Sequence, residues 1–266
     1  MVVVTAVQLL PVPGVPLVPI GADLVPLVVT AVTDAGIGFE EHDIVVVTGK
    51  IVSKAEKRLV NLGEIEPSAR AERLAAEAEK DPRLVELVLR ESTDVVRVRP
   101  GNLLVRHRLG YVSAVAGIDR SNVSGDDDDA LLLPEDPDAS AAALRDELVR
   151  VTGLTHLGVV ITDSHGRPFR LGNTGVAIGV AGMTAIRYLE GDPDLFGRPL
   201  TNASIVPVAD LVASAAMLVS GEADEGIPLV VVRGLRLTED PDGTRAADLQ
   251  RPPDRDMFAI PDRDYD

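Results

Sequence analysis

Val159-Val160-Ile161-Thr162-Asp163-Ser164-His165-Gly166-Arg167, continued by Pro168-Phe169-Arg170-Leu171-Gly172-Asn173-Thr174-Gly175, changes character abruptly along its length. It opens as a β-branched apolar run, the pattern of a buried strand, and then releases an acid, a hydroxyl, an imidazole, a glycine and two arginines. In open α/β sheets ligands bind in the crevice beyond the carboxyl ends of strands, and Asp163 is expected where this strand ends. The plain alternative is a strand-to-turn exit in which Asp and Gly act as turn formers.

The same grammar recurs elsewhere in the chain. Ile44 to Thr48 reads as a central strand and delivers Gly49-Lys50-Ile51-Val52-Ser53-Lys54. Tyr111 to Ala116 reads as a strand that ends in Ala116-Gly117-Ile118-Asp119-Arg120-Ser121-Asn122-Val123. Further strands are expected at Val2 to Val7, Val95 to Val98, Leu103 to Arg108 and Leu229 to Val232. Helices are expected from Asp23 to about Ala35, after Ser68, after Asp81-Pro82, over Ser140 to Val151 and over Val206 to Val219. Between Gly172 and Gly182 the glycines alternate with Val, Ala and Ile, which marks a close-packed strand or loop where another backbone, or a ligand, approaches. Prolines at 11, 13, 16 and 19 hold Val12 to Ile20 extended. Four consecutive aspartates, Asp126 to Asp129, read as a solvated loop.

Composition bounds the function. At 266 residues and 45% hydrophobic content the chain can build a sizeable core. A net charge of -16 argues against the broad cationic surface that nucleic acid requires. No cysteine is present, which removes disulfides, thiolate nucleophiles and sulfur metal ligands. The apolar opening lacks a basic n-region and a cleavage pattern, and no run reaches the roughly 20 apolar residues of a membrane helix, so a cytoplasmic protein is expected. Basic residues are mostly arginine, yet Lys50, Lys54 and Lys57 fall in one segment, leaving Lys80 elsewhere. A chain so rich in arginine keeps lysine where a compact ammonium is needed in place of a planar fork, although chance clustering on a solvated face gives the same pattern.

Three strand ends thus present Lys50 and Lys54, Asp119 and Asn122, and Asp163 and Ser164. Oxygen donors beside lysines are the inventory for a hard divalent cation and a polyphosphate, with Asp119, Asp163 and Ser164 as ligands. No Gly-x-x-x-x-Gly-Lys-Ser/Thr loop and no Gly-x-Gly-x-x-Gly follow a strand, so the common nucleotide folds are not supported. His165 beside Ser164 suggests a nucleophile and base, but neighbours on an extended chain point apart, and a turn histidine is the better reading.

Val52-Ser53-Lys54-Ala55-Glu56, Ala116 to Asn122, Ile161 to Arg167 with Phe169-Arg170, and Gly226-Ile227-Pro228 ahead of Val231-Val232-Arg233-Gly234 together resemble the coenzyme F-420:L-glutamate ligase family, in order from about Pro13 to Leu235. The resemblance implies a mixed α/β (α+β) fold of unusual arrangement with several sheets, forming an intertwined homodimer. It further implies a GTP-dependent amide ligase that adds L-glutamate to the deazaflavin coenzyme F-420 precursor through an acyl phosphate, with Mg²⁺ or Mn²⁺, two divalent ions being possible, and K⁺. By position, the metal ligands fall on Asp119, Asp163 and Ser164, with Lys54 joining Asp119 and Asp163 in catalysis. Nucleotide contacts fall on Val15, Pro16, Leu17, Val18, Gly49, Lys50, Lys54 and Asn122, and on Ser220, Gly221, Glu222, Ala223, Asp224, Glu225, Gly226 and Ile227. Lys50 stands where relatives commonly carry a hydroxyl residue, and Ala223 and Glu225 alter the glycine loop.

Residues 1–237 are expected to form the ligase domain, and 238–266, rich in Pro, Arg and Asp, an extension or linker. The chain is then either a free-standing ligase or the ligase part of a longer protein that continues into a flavin-binding domain. Two other readings stand beside the ligase. A phosphohydrolase would use the same carboxylates with water as acceptor, and a non-enzymatic cation- or partner-binding protein would use the acidic runs alone. Arg167 and Arg170 are candidates to hold a substrate carboxylate or phosphate, or else to stabilise the fold.

Overall fold

Apolar runs without alternation need cover on both faces of a sheet, and helices supply it here. The computed structural model describes residues 6–201, 205–237 and 243–256. In chain order its elements are β1 (Gln8–Pro11), α1 (Leu24–Asp34), β2 (Ile44–Thr48), α2 (Gly49–Ala55), β3 (Leu59–Asn61), α3 (Ala69–Ala78), α4 (Pro82–Arg90), β4 (Ser92–Arg99), β5 (Asn102–His107), β6 (Val112–Ala114) and β7 (Asp129–Leu131). There follow α5 (Pro137–Thr152), β8 (Gly158–Gly166), β9 (Asn173–Ala181), β10 (Arg187–Tyr188), β11 (Ile205–Val206), α6 (Val208–Ser220) and β12 (Leu229–Arg233). The mixed α/β class with several sheets expected from the sequence is what the chain adopts.

The main sheet has the order β1-β12-β2-β8-β9. Only β2 and β8 run parallel, paired from Ile44 with Gly158 to Thr48 with Thr162; the other neighbours are antiparallel. Alternation divides the core. Val45, Val47, Val159 and Ile161 pack with Val28 and Val32 of α1 and Leu144 and Leu148 of α5. Ile44, Val46, Val160 and Val180 pack with Ala209, Val212, Ala213 and Ala216 of α6. A second core joins Leu74, Leu84, Val85 and Val88 of α3 and α4 to Leu103 and Val105 of β5, in the three-stranded sheet β4-β5-β6.

Local chemistry explains the helix limits. Asp23, Ser68, Asp81 and Asp136 accept from backbone N–H groups at the starts of α1, α3, α4 and α5. Gly153 closes α5 in the left-handed conformation, with φ 73°. Asp210 of α6 and Asp138 of α5 also accept from Ala177 and Val180 at 2.9 Å, satisfying N–H groups of the edge strand β9. Burial pushes the Asp210 carboxyl up. Burial works against ionisation of Glu91, but the His107 imidazole 3.5 Å away and the charges of Arg58 and Arg108 outweigh it and hold its carboxyl at about 2.

Two expectations shift. The first strand among the described residues is Gln8–Pro11, its register set by β12, with Gln8 opposite Arg233 and Pro11 opposite Val230; of the strand expected at Val2 to Val7, Ala6 and Val7 precede it as non-strand backbone, and residues 2–5 lie outside the described residues. The strand expected to end at Asp163 runs on to Gly166, because β9 keeps pairing with it after β2 has ended: Asp163 faces Val176 and Ser164 faces Gly175. A register shift between Ile161 and Thr162 marks the changeover.

The glycines of β9 are required by contact. A Cβ on Gly175 would lie 2.5 Å from the Ala213 carbonyl oxygen of α6, and one on Gly179 would overlap the Pro137 carbonyl of α5. Propensity alone would make Gly179→Ala stabilising by roughly 0.5–1 kcal/mol. Because backbone rather than a side chain must yield, the substitution is expected to destabilise by about 3 kcal/mol, read from a denaturant melt. An unchanged or raised midpoint would contradict the close approach of α5.

Candidate active site

The parallel pair fixes the site. Thr48 and Thr162 are in register, so Gly49 and Asp163 leave the same end of β2 and β8 side by side. α2 begins on Gly49, where a Cβ would lie 3.3 Å from the Thr162 carbonyl oxygen and 3.1 Å from Ile178 Cδ1. Lys50 and Lys54, one turn apart, then project from a helix that starts at the strand end.

Lys50 Nζ lies 2.7 Å from Asp119 Oδ2 and donates to the Ser121 carbonyl at 2.8 Å. Lys54, only 8% exposed, donates to the Asn122 carbonyl at 3.3 Å. Burial, and then the charge of Lys50, push the Lys54 ammonium below its ordinary pKa, while Asp119 works the other way.

Asp119 is anchored by backbone hydrogen bonds in both directions with Leu131, at 2.9 and 2.8 Å. The approach to it is strained, with Val115, Ala116 and Gly117 at φ 46°, 56° and 65° and Asn122 at 54°. A β-branched residue at positive φ is rare, and such conformations persist where packing over-determines them. Asp119 Oδ1 accepts from the N–H and the hydroxyl of Ser121, each at 2.9 Å.

Asn122 ties in the loop that follows α6. Its Nδ2 donates to the Ala223 carbonyl at 3.1 Å, and Ala223 N donates to Glu225 Oε2 at 2.8 Å. That backbone hydrogen bond, chiefly, holds the Glu225 carboxyl below its usual range. Beyond the loop, Thr48 N donates to the Pro228 carbonyl at 3.0 Å, and on the proline-rich segment Gly21 N donates to the Lys54 carbonyl at 2.8 Å. Within Val15-Pro16-Leu17-Val18, Val18 is core and Leu17 is 95% exposed. Lys50, Lys54, Asp119, Asn122 and the 220–227 loop are therefore linked by direct contacts.

Asp163 is placed differently. Its Oδ2 lies 3.1 Å from His165 Nε2, and the His165 ring meets Tyr111 edge-on with centroids 5.8 Å apart. Tyr111 in turn donates to the Ile178 carbonyl at 2.7 Å, and burial pushes its phenol up. His165 thus sits within a strand and is no turn residue; residues two apart on a strand share a face, the signal that a search for adjacent pairs misses. Ser164 leaves the opposite face from Asp163. Ser121, two residues after Asp119, also went unrecognised, although Asp-x-Ser spacing is the pattern of a side chain caught by its own turn.

Among the described residues no three acid or histidine side chains gather as a metal cluster. Asp119, Asp163 and Ser164 offer only hard oxygen, and Mg²⁺ or Mn²⁺ commonly takes one or two protein carboxylates and completes its shell with water and substrate oxygens. The donor chemistry fits such an ion. Because Asp163 and Ser164 face opposite ways, they suit separate positions better than one. No described residue is assigned to K⁺. The aspartate run is only half solvated: Asp128 pairs with Arg83 at 3.0 Å and Asp129 accepts from Asn61 at 3.1 Å. Arg167 donates to the Leu171 carbonyl at 2.6 Å within the exposed β8–β9 turn, and Arg170 stands exposed there too.

The model of the F420-0:Gamma-glutamyl ligase family matches residues 14–234. The chain belongs to this family. It is 45% identical over 228 residues to the Coenzyme F420:L-glutamate ligase of Methanothermobacter thermautotrophicus, covering 86% of this chain and 89% of the relative. The protein of the same name from Methanopyrus kandleri is 47% identical over 223 residues, 82% and 86% of the two chains. That from Haloarcula marismortui is 42% identical over 250 residues, 92% of each. The F420-0:Gamma-glutamyl ligase match encloses every residue of the site, from Val15 to Ile227. No helix among the described residues is long and apolar enough to cross a membrane.

The Asn122–Ala223 contact has a direct readout. Asn122→Ala removes one hydrogen bond worth about 1 kcal/mol, so amides of residues 221–227 are expected to exchange with deuterium about fivefold faster, while those of β2 and β8 stay protected. Unchanged exchange in the loop would show that it is held by other means.

Proposed function

We propose that this chain is a GTP-dependent ligase that joins L-glutamate, in γ-linkage, to the deazaflavin coenzyme F-420 precursor. The observation that carries it is the set of contacts from Lys50 to Asp119, Lys54 to Asn122 and Asn122 to Ala223, which brings cations, an acid and a backbone loop from distant parts of a ligase-family sequence to one strand end. A carboxylate is a poor electrophile, so amide formation at neutral pH calls for activation. The acceptor carboxylate oxygen attacks the γ-phosphorus of GTP and GDP leaves; the glutamate amine then attacks the acyl carbon, loses a proton, and inorganic phosphate leaves.

Within that scheme Lys50 and Lys54 offset the charge of the polyphosphate, and the 220–227 loop offers backbone groups to the nucleotide. Asp119, Asp163 and Ser164 would hold Mg²⁺ or Mn²⁺, which when bound neutralises charge on the transferred phosphoryl group. His165 orients the Asp163 carboxylate. K⁺ belongs to the reading without an assigned site.

The working form is proposed to be a homodimer. In support, the segment from β10 to β11 carries Leu195 and Phe196 at 100% and 82% exposure, an apolar tip that a second copy would cover.

The test is incubation with the coenzyme precursor, GTP, Mn²⁺ and L-glutamate, followed by mass spectrometry and a phosphate assay. Glutamyl mass additions, with phosphate released only when the precursor is present, are expected; phosphate release from GTP alone would favour the hydrolase. Asp163→Ala is expected to slow turnover by on the order of 10³. Near-normal ligation by that variant would remove Asp163 from the mechanism.

A further inference from the structure

We propose that the Lys50 ammonium is a tethered counter-ion that occupies the Asp119 carboxylate until a polyphosphate arrives, so that a divalent cation and a nucleotide bind this site cooperatively. The inference rests on the metal and phosphate reading of Asp119 given above. Each carboxylate oxygen has two lone-pair positions. Those of Asp119 Oδ1 are both taken, by the N–H and the hydroxyl of Ser121 at 2.9 Å. Oδ2 is the oxygen open to a cation, and Lys50 Nζ holds it at 2.7 Å. A second hold, on the Ser121 carbonyl at 2.8 Å, keeps the ammonium there.

The hold is exchangeable. The two side chains are 28% and 35% exposed, a pair of modest strength, and lysine carries a compact charge on a flexible stem. Lys50 also repels the neighbouring Lys54, which is 8% exposed. A polyphosphate is a better partner for both ammonium groups than one carboxylate oxygen. Once it enters, Lys50 turns to the phosphate oxygens, Oδ2 is released, and the crowding of the two lysines is relieved. Among the described residues Asp163 pairs with His165 and with no lysine or arginine, so the gate acts at Asp119. Linkage makes the effect reciprocal: nucleotide tightens the divalent cation by the factor by which the cation tightens nucleotide.

The experiment titrates Mn²⁺ into the full chain with and without saturating GDP, reading free Mn²⁺ by its electron paramagnetic resonance signal. Lys50→Met and Lys50→Gln, two variants of similar length without the charge, are each expected to bind Mn²⁺ about fivefold more tightly without GDP, the scale of an ion pair this exposed. The gain in Mn²⁺ affinity that GDP brings is expected to shrink by a similar factor. Lys54→Met removes an equal charge that does not touch Asp119, and is expected to tighten Mn²⁺ less. Mn²⁺ binding that is lost in Asp119→Asn yet unaltered in both Lys50 variants overturns the gate alone, as does equal tightening by Lys54→Met. Mn²⁺ binding that Asp119→Asn leaves untouched overturns the metal reading itself and the gate with it.

Discussion

The site depends on one backbone register: the parallel pairing of β2 with β8, Thr48 opposite Thr162. Parallel strands end together, so whatever follows each is delivered to one place. Here the followers are Gly49, which lets α2 start against the Thr162 carbonyl, and Asp163, which continues up a hairpin that β2 no longer accompanies. A slip of one residue would exchange Val45 and Val47, which pack under α1 and α5, with Ile44 and Val46, which pack under α6, and so change the shapes that both cores must fit. Stability and function therefore draw on the same pairing.

Around that register, charge is arranged with economy. A chain of net charge -16 places two of its few lysines on the first turns of α2, and matches them to oxygen acceptors contributed by Asp119, Ser121 and Asn122. The strained backbone from Val115 to Asn122 is stabilised by packing of Ala116 and Ile118 into the second core, so α3, α4 and the β4-β5-β6 sheet serve to hold the Asp119 turn in place. Asn122 then carries the connection to the loop after α6. Asp163 has its own support, His165 and through it Tyr111, built from the alternation of β8.

Much of this was legible in the residues. Unbroken apolar runs marked β2 and β12, capping residues marked the starts of α1, α3 and α4, and the glycines of β9 marked the backbone contacts with Pro137 and Ala213. Local sequence could not reveal where pairing stops, because that depends on the partner: β1 is placed by β12, and β8 is lengthened by β9. For the same reason His165 read as a turn residue until the hairpin put it in a strand. The Lys50–Asp119 contact spans sixty-nine positions by difference of the two residue numbers and leaves no local trace. Asp128 and Asp129, too, gain their partners Arg83 and Asn61 only through the fold.

On the proposed function, the shared end of β2 and β8 is a metal and phosphate site. Its most direct test is an anomalous-scattering map from crystals grown with Mn²⁺ and GDP. The expected result is an Mn²⁺ peak within coordination distance of the Asp119 or Asp163 carboxylate, with the GDP phosphates against Lys50 and Lys54. Ordered GDP with Mn²⁺ at some other part of the chain, away from both aspartates, would contradict it.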